Sequence, residues 1–123
     1  TEEALATFDS LAPVDLAFMR GAWRGAGYPT GHWLDGAVEA FRWHGKRFED
    51  DEHVQPLIFT TAAGARVAVN PAWVAPGLAL LRRFPRLASA PTGALAQRLV
   101  PLLAARRSSA RLRLTAYRGK VSA

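Results

Sequence analysis

The chain has 123 residues, half of them hydrophobic and a tenth aromatic, which is the composition of one globular domain with one core and room for one interior cavity. It contains no cysteine, which excludes disulfides, thiolate nucleophiles and metal–thiolate centres. The net charge of +6 conceals an asymmetry: residues 1–52 hold all ten carboxylates against five basic groups, net −5, whereas residues 53–123 hold eleven Lys or Arg and no carboxylate, net +11. A split of this kind points to nucleic acid, an anionic surface or an acidic partner segment.

No apolar run approaches the roughly 18 residues that span a bilayer. The acidic opening, Thr1-Glu2-Glu3, lacks the basic and apolar regions of a signal peptide, so a cytoplasmic protein is expected.

Leu5 and Phe8 stand at helical spacing, and Asp9 and Ser10 are helix-capping types. Pro13 then reads as the first turn of a short helix over 13–19, with Val14, Phe18 and Met19 on its apolar face. Residues 21–27 are too glycine-rich for a helix and read as a strand with Trp23 pointing inward. Pro29-Thr30-Gly31 is a turn, and Leu34, Val38 and Phe41 recur as on one face of a helix over 33–43. The run 49–52 is an acidic loop, and 54–60 and 66–70 are β-favouring runs joined as a hairpin through Ala62-Ala63-Gly64-Ala65. Asn70-Pro71 is an N-cap followed by a first-turn proline, after which Pro76 and Pro85 are expected to break the chain into short helices. Thr92 is placed to cap a further helix carrying Leu95, Leu99, Leu102 and Leu103, kinked at Pro101. Arg111 to Tyr117 alternates strictly and reads as a strand.

Several of these residues form an ordered series. Gly21-x-Trp23-x-Gly25-x-Gly27 is preceded by Phe8-Asp9-x-Leu11-x-Pro13 and Phe18-Met19. It is followed by Pro29-Thr30-Gly31-His32, Trp43-x-Gly45-Lys46-Arg47-Phe48, Pro56-Leu57-x-Phe59, Asn70-Pro71 and Tyr117-Arg118-Gly119. The series resembles the GXWXG family, whose members usually join a GXWXG domain to a second domain of unknown function, number 4334. Trp33 departs from the proline common at that place in the family. The resemblance implies a GXWXG-like domain over 1–60 and the first part of the second domain over 61–123, the two forming one fold. It also implies an acidic continuation beyond this chain, which would balance the basic half.

The G-x-W-x-G-x-G pattern is similar to the first strand of lipocalins, fatty-acid-binding proteins and nitrobindins, where a tryptophan closes the bottom of a small barrel. The implied fold is α+β: a calycin-like antiparallel barrel decorated by short, proline-broken helices and completed by a segment absent from the chain. The implied function is binding of a lipophilic molecule, such as a fatty acid, phospholipid or isoprenoid, in an apolar cavity. Trp23, Trp33, Phe41, Trp43, Leu57 and Phe59 would line or close it, with Lys46 and Arg113 at the head group. The same Trp23 serves equally as a plain core plug.

The alternative is a cofactor-independent cyclase or isomerase of specialised metabolism. His32 and Asp35 would be its acid–base pair and Tyr28 would position the substrate; a capped polar turn accounts for the same three residues. His44 beside Trp43 and Lys46 is a second polar group, read otherwise as a helix end. His32, His44 and His53 lack metal-ligand spacing, so no metal is expected. Haem, known from nitrobindins, would need a histidine late in the chain, and none follows His53. No G-x-S-x-G elbow supports nucleophilic catalysis, and no recognised motif turns the arginines into a nucleic-acid surface.

Overall fold

A computed structural model describes residues 2–87, 90–106, 114–117 and 120–122. Helix α1 (Glu2–Ser10) precedes a one-turn helix α2 (Leu16–Met19) and strand β1 (Gly21–Arg24). The expected helix over 13–19 starts later than Pro13, because Asp15 is the cap: its carboxylate accepts from the Phe18 N–H at 2.6 Å. Ser10 instead turns back on α1, donating to the Thr7 carbonyl.

The helix expected over 33–43 shrinks to α3 (Ala37–Ala40). Gly36 enters it with φ 83°, and Arg42 leaves it with φ 55°, a left-handed conformation that is uncommon for a residue with a Cβ. The Leu34, Val38 and Phe41 spacing therefore spans a turn, a helix and a reversal. Strand β2 (Trp43–Phe48) starts inside the predicted helix. It pairs antiparallel with β1 and with β3 (Val54–Thr60), which turns at 62–65 into β4 (Arg66–Ala68). The expected hairpin is thus present, with Val69 making a separate bridge to Ala104.

Helix α4 (Pro71–Arg83) begins as predicted, with the Asn70 side chain accepting from the Ala72 N–H at 2.9 Å. Pro76 does not break it but lies inside it, and the helix stops at Arg83, just before Phe84-Pro85. Helix α5 (Ala90–Leu99) starts ahead of Thr92 and tightens into a 3-10 turn over Val100–Leu103, where the Pro101 kink was expected. Strands β5 (Thr115–Tyr117) and β6 (Lys120–Ser122) form a separate hairpin, and residues 111–113 of the predicted strand lie outside the described residues.

The architecture is α+β, and the expected barrel does not close. The main sheet is open, four strands in the order β1-β2-β3-β4. One reason is local: β4 has three residues before the Asn70-Pro71 helix start, and its outer edge takes Ala105, whose N–H donates to the Ala68 carbonyl at 2.8 Å. Phe48, Val54 and Leu114 form the buried cluster, with Leu16, Met19 and Trp23 packed on it. The helices cover little of one another: Trp73, Leu80, Phe84, Leu95, Leu99 and Leu102 are all exposed. Among the described residues no helix is long and apolar enough to cross a membrane.

Candidate functional site

The antiparallel order brings the end of β1, the start of β2, the end of β3 and the start of β4 to one end of the sheet. A cavity of about 500 Å³ lies there, lined by Arg24, Gly25, Ala26, Val38, Glu39, Arg42, Trp43, His44, Thr60 and Arg66. Its volume is that of a small-molecule site.

Trp43 sits under Gly25. A Cβ on Gly25 would overlap the indole ring, so the glycine lets the chain after β1 lie flat on it. The ring is oriented from its other side, where Nε1 donates to the Pro56 carbonyl at 3.1 Å. Gly27 donates its N–H to Glu39 Oε1 at 3.1 Å, tying the same stretch to α3. Gly45 has its own steric reason: a Cβ there would strike the Trp23 carbonyl oxygen of the paired strand. Trp23 itself points to the opposite face, half-buried against the core, with Nε1 donating to the Met19 carbonyl at 2.6 Å. It plugs the core and lies away from the cavity.

Three arginines on separate elements line the cavity. Arg24 ends β1, Arg66 starts β4, and Arg42 stands at the reversal between α3 and β2. The Arg42 backbone is held on both sides, its N–H donating to the Glu39 carbonyl and its carbonyl accepting from Thr60, each at 3.0 Å. Its Nη1 donates to Gln97 Oε1 at 3.3 Å. None of the three forms an ion pair with a carboxylate among the described residues. Burial holds His44 below its ordinary pKa, and the positive charges of Arg66 and Arg24 push the same way. The neutral imidazole of His44 is therefore favoured at pH 7.

The residues predicted from sequence are spread more widely. Trp43 lines the cavity, and Phe59 is its cross-strand partner on β3. Phe41 and Leu57 are half-buried beside these strands, while Trp33 is exposed and stacks obliquely on His32 with ring centres 5.5 Å apart. Lys46 pairs in register with Trp23, and Arg113 lies outside the described residues. His32, Asp35 and Tyr28 do not line the cavity. Asp35 closes the 30–35 loop, accepting from the N–H groups of Thr30, Gly31 and His32 and from the Thr30 hydroxyl. These bonds, led by that from the Thr30 N–H, hold its carboxyl below the usual range. His32 Nδ1 accepts from the Leu34 N–H, and the Tyr28 hydroxyl meets Thr7 Oγ1 at 3.2 Å.

The motif glycines, the indole they accommodate and the strands they join all fall within one stretch. Residues 6–64 match the family described as GXWXG protein. The match spans 59 of the chain's 123 residues. That segment supplies nine of the ten described residues lining the cavity, all but Arg66. A crystal structure of a protein from Thermomonospora curvata is similar to the chain, with 29% identity, a TM-score of 0.54 and coverage of 98% of this chain. The chain spans 58% of that protein's chain. None of the curated proteins matches it.

Sequence reasoning missed Arg24, Arg42 and Arg66 because they are 18 and 24 positions apart and no motif joins them. The available signal was topological. In a predicted β-meander, residues just after one strand and just before the next share one end of the sheet.

Proposed function

We propose that the chain binds a lipophilic small molecule through an acidic head group, held in the cavity built by the GXWXG segment. Fatty acids, phospholipids and isoprenoid acids or phosphates are the classes in view. The observation carrying this reading is the convergence of Arg24, Arg42 and Arg66 on one cavity with Glu39 as the lone lining carboxylate. Guanidinium groups hold carboxylate or phosphate in bidentate fashion, and Trp43 with Val38 offers apolar surface beside them. Native mass spectrometry of the purified protein, followed by lipid extraction, is expected to find an acidic amphiphile. Arg24→Gln and Arg66→Gln are each expected to weaken its binding about tenfold, the low end for a charge-assisted hydrogen bond at an accessible site. Unchanged affinity in both variants would remove the cavity from the account.

The reading includes a cover. The exposed apolar side chains of α4 and α5 lie among Arg82, Arg83, Arg86, Arg98 and Arg106, in the half of the chain that has no carboxylate. An acidic amphipathic segment, from a longer form of the protein or from a partner, fits that surface and would complete the open sheet.

One observation favours a cofactor-independent isomerase or cyclase as a second reading. His44 is neutral at the cavity wall, where it can accept a proton beside guanidinium groups able to stabilise an enolate. A bound β-keto acid incubated in D2O would then exchange its α-proton, and His44→Ala would stop the exchange while keeping the ligand. No exchange in the unaltered protein would exclude this chemistry. His32→Ala is expected to change neither exchange nor binding.

A further inference from the structure

We propose that the head group taken by this cavity is a phosphomonoester dianion, in preference to a carboxylate or another monoanion. This rests on the reading of the cavity as an acidic-head-group site and narrows it by charge and shape.

Among the described residues the lining carries three arginines and one carboxylate, and His44 is held toward its neutral form, so these residues offer a formal charge of +2. Glu39 is partly occupied already, because its Oε1 accepts from the Gly27 N–H. A monoanion leaves one positive charge without a counterpart. A phosphomonoester carries about −1.5 to −2 near pH 7, with a second ionisation near pH 6, and so matches the lining. The count of acceptors agrees. Arg24, Arg42 and Arg66 come from the end of β1, the α3–β2 reversal and the start of β4, three separate elements lining one cavity. A phosphate presents three terminal oxygens, whereas a planar carboxylate presents two. Neutral His44 can add a ring N–H donor, and Thr60 a hydroxyl.

The test compares octyl phosphate, octyl sulfate, nonanoate and inorganic phosphate by calorimetry below their micellar concentrations. At pH 7.5 octyl phosphate is expected to bind at least tenfold more tightly than octyl sulfate or nonanoate. The phosphate-to-sulfate ratio should fall toward one at pH 5, where the phosphate has become a monoanion and the sulfate is unchanged. Taking the ratio cancels the common effect of protonating His44, the groups facing it being Arg24, Glu39, Arg42 and Arg66. Binding of octyl phosphate should also raise the His44 titration midpoint seen by NMR. Arg66→Gln and Arg24→Gln, checked for folding by circular dichroism, should each lower the ratio.

Equal affinities for the phosphate and the sulfate at pH 7.5 would overturn the dianion and leave the acidic-head-group reading standing. Failure of every probe to bind would overturn both. Inorganic phosphate binding as tightly as octyl phosphate would support the dianion and remove the lipophilic tail.

Discussion

Gly25 and Gly45 both exclude a side chain, yet the atoms that exclude it differ. At Gly25 the neighbour is the Trp43 ring, a side chain able to tilt. Gly25→Ala is therefore expected to cost about 1–3 kcal/mol, the usual range for overpacking, and to weaken ligand binding by moving the indole. At Gly45 the neighbour is the Trp23 carbonyl in a paired strand, and φ is 149°, so neither partner can yield cheaply. Gly45→Ala should be the more damaging of the two, by chemical denaturation of both variants in parallel. A milder Gly45 variant would show that β1 can lift from β2 at that point.

The titratable side chains give pH predictions of one sign. His44 has a folded-state pKa below its unfolded value of 6.5, so the unfolded chain binds more protons in that window. Its contribution is complete above 6.5 and is lost as pH falls below it. Asp35 is likewise depressed below 3.8, so the stability it lends to the 30–35 loop is present above that value and lost in stronger acid. Two steps are therefore expected on acidification, a loss setting in below pH 6.5 that His44→Gln removes and a later one that Asp35→Asn diminishes, the rest belonging to Asp50, whose carboxyl is depressed by its hydrogen bond to His53. Identical acid profiles for His44→Gln and the unaltered protein would refute the first.

At the scale of elements, the sequence was legible wherever a signal was local. Asn70 followed by Pro71 defines the start of α4, and turn residues between two β-favouring runs define the β3–β4 hairpin. Asn70→Ala should lower stability by about 1 kcal/mol through loss of the cap. Pro76 shows the opposite case, a strong local signal overridden by its surroundings. Lacking an N–H, it leaves the Ala72 carbonyl without its helical donor. Pro76→Ala is expected to raise the melting temperature, since that bond can then form; a lower melting temperature would mean that the ring itself packs usefully. The helix predicted over 33–43 failed for a different reason. Leu34, Val38 and Phe41 keep helical spacing, but Gly36 and Arg42 adopt left-handed backbone on either side of α3, and periodicity carries no trace of that.

Across the whole molecule, the charge division was plain in the sequence, whereas the cavity was not. Arg24, Arg42 and Arg66 become neighbours only when antiparallel pairing folds three distant positions to one end of the sheet. The barrel expectation belongs to the same scale: a first strand with an inward tryptophan is compatible with an open sheet as well as a closed one, and the described strands form an open one. The faces of α4 and α5 are exposed and apolar, in the half of the chain that carries the basic excess. A synthetic Glu/Leu amphipathic helix added in excess should raise the melting temperature by mass action. The rise should shrink at about 1 M salt, where the screening length is near 3 Å. A flat response would remove the acidic cover.

Arg42 sets local comfort against chemistry. Its backbone lies in a left-handed well that costs a side-chain-bearing residue about 1–2 kcal/mol and glycine nothing. Arg42→Gly should therefore melt no earlier than the parent, yet grip an anion less well. A laboratory screen that rewards heat resistance alone would drift toward glycine at this position and discard a third of the cavity's cationic grip without any warning in the melting curve.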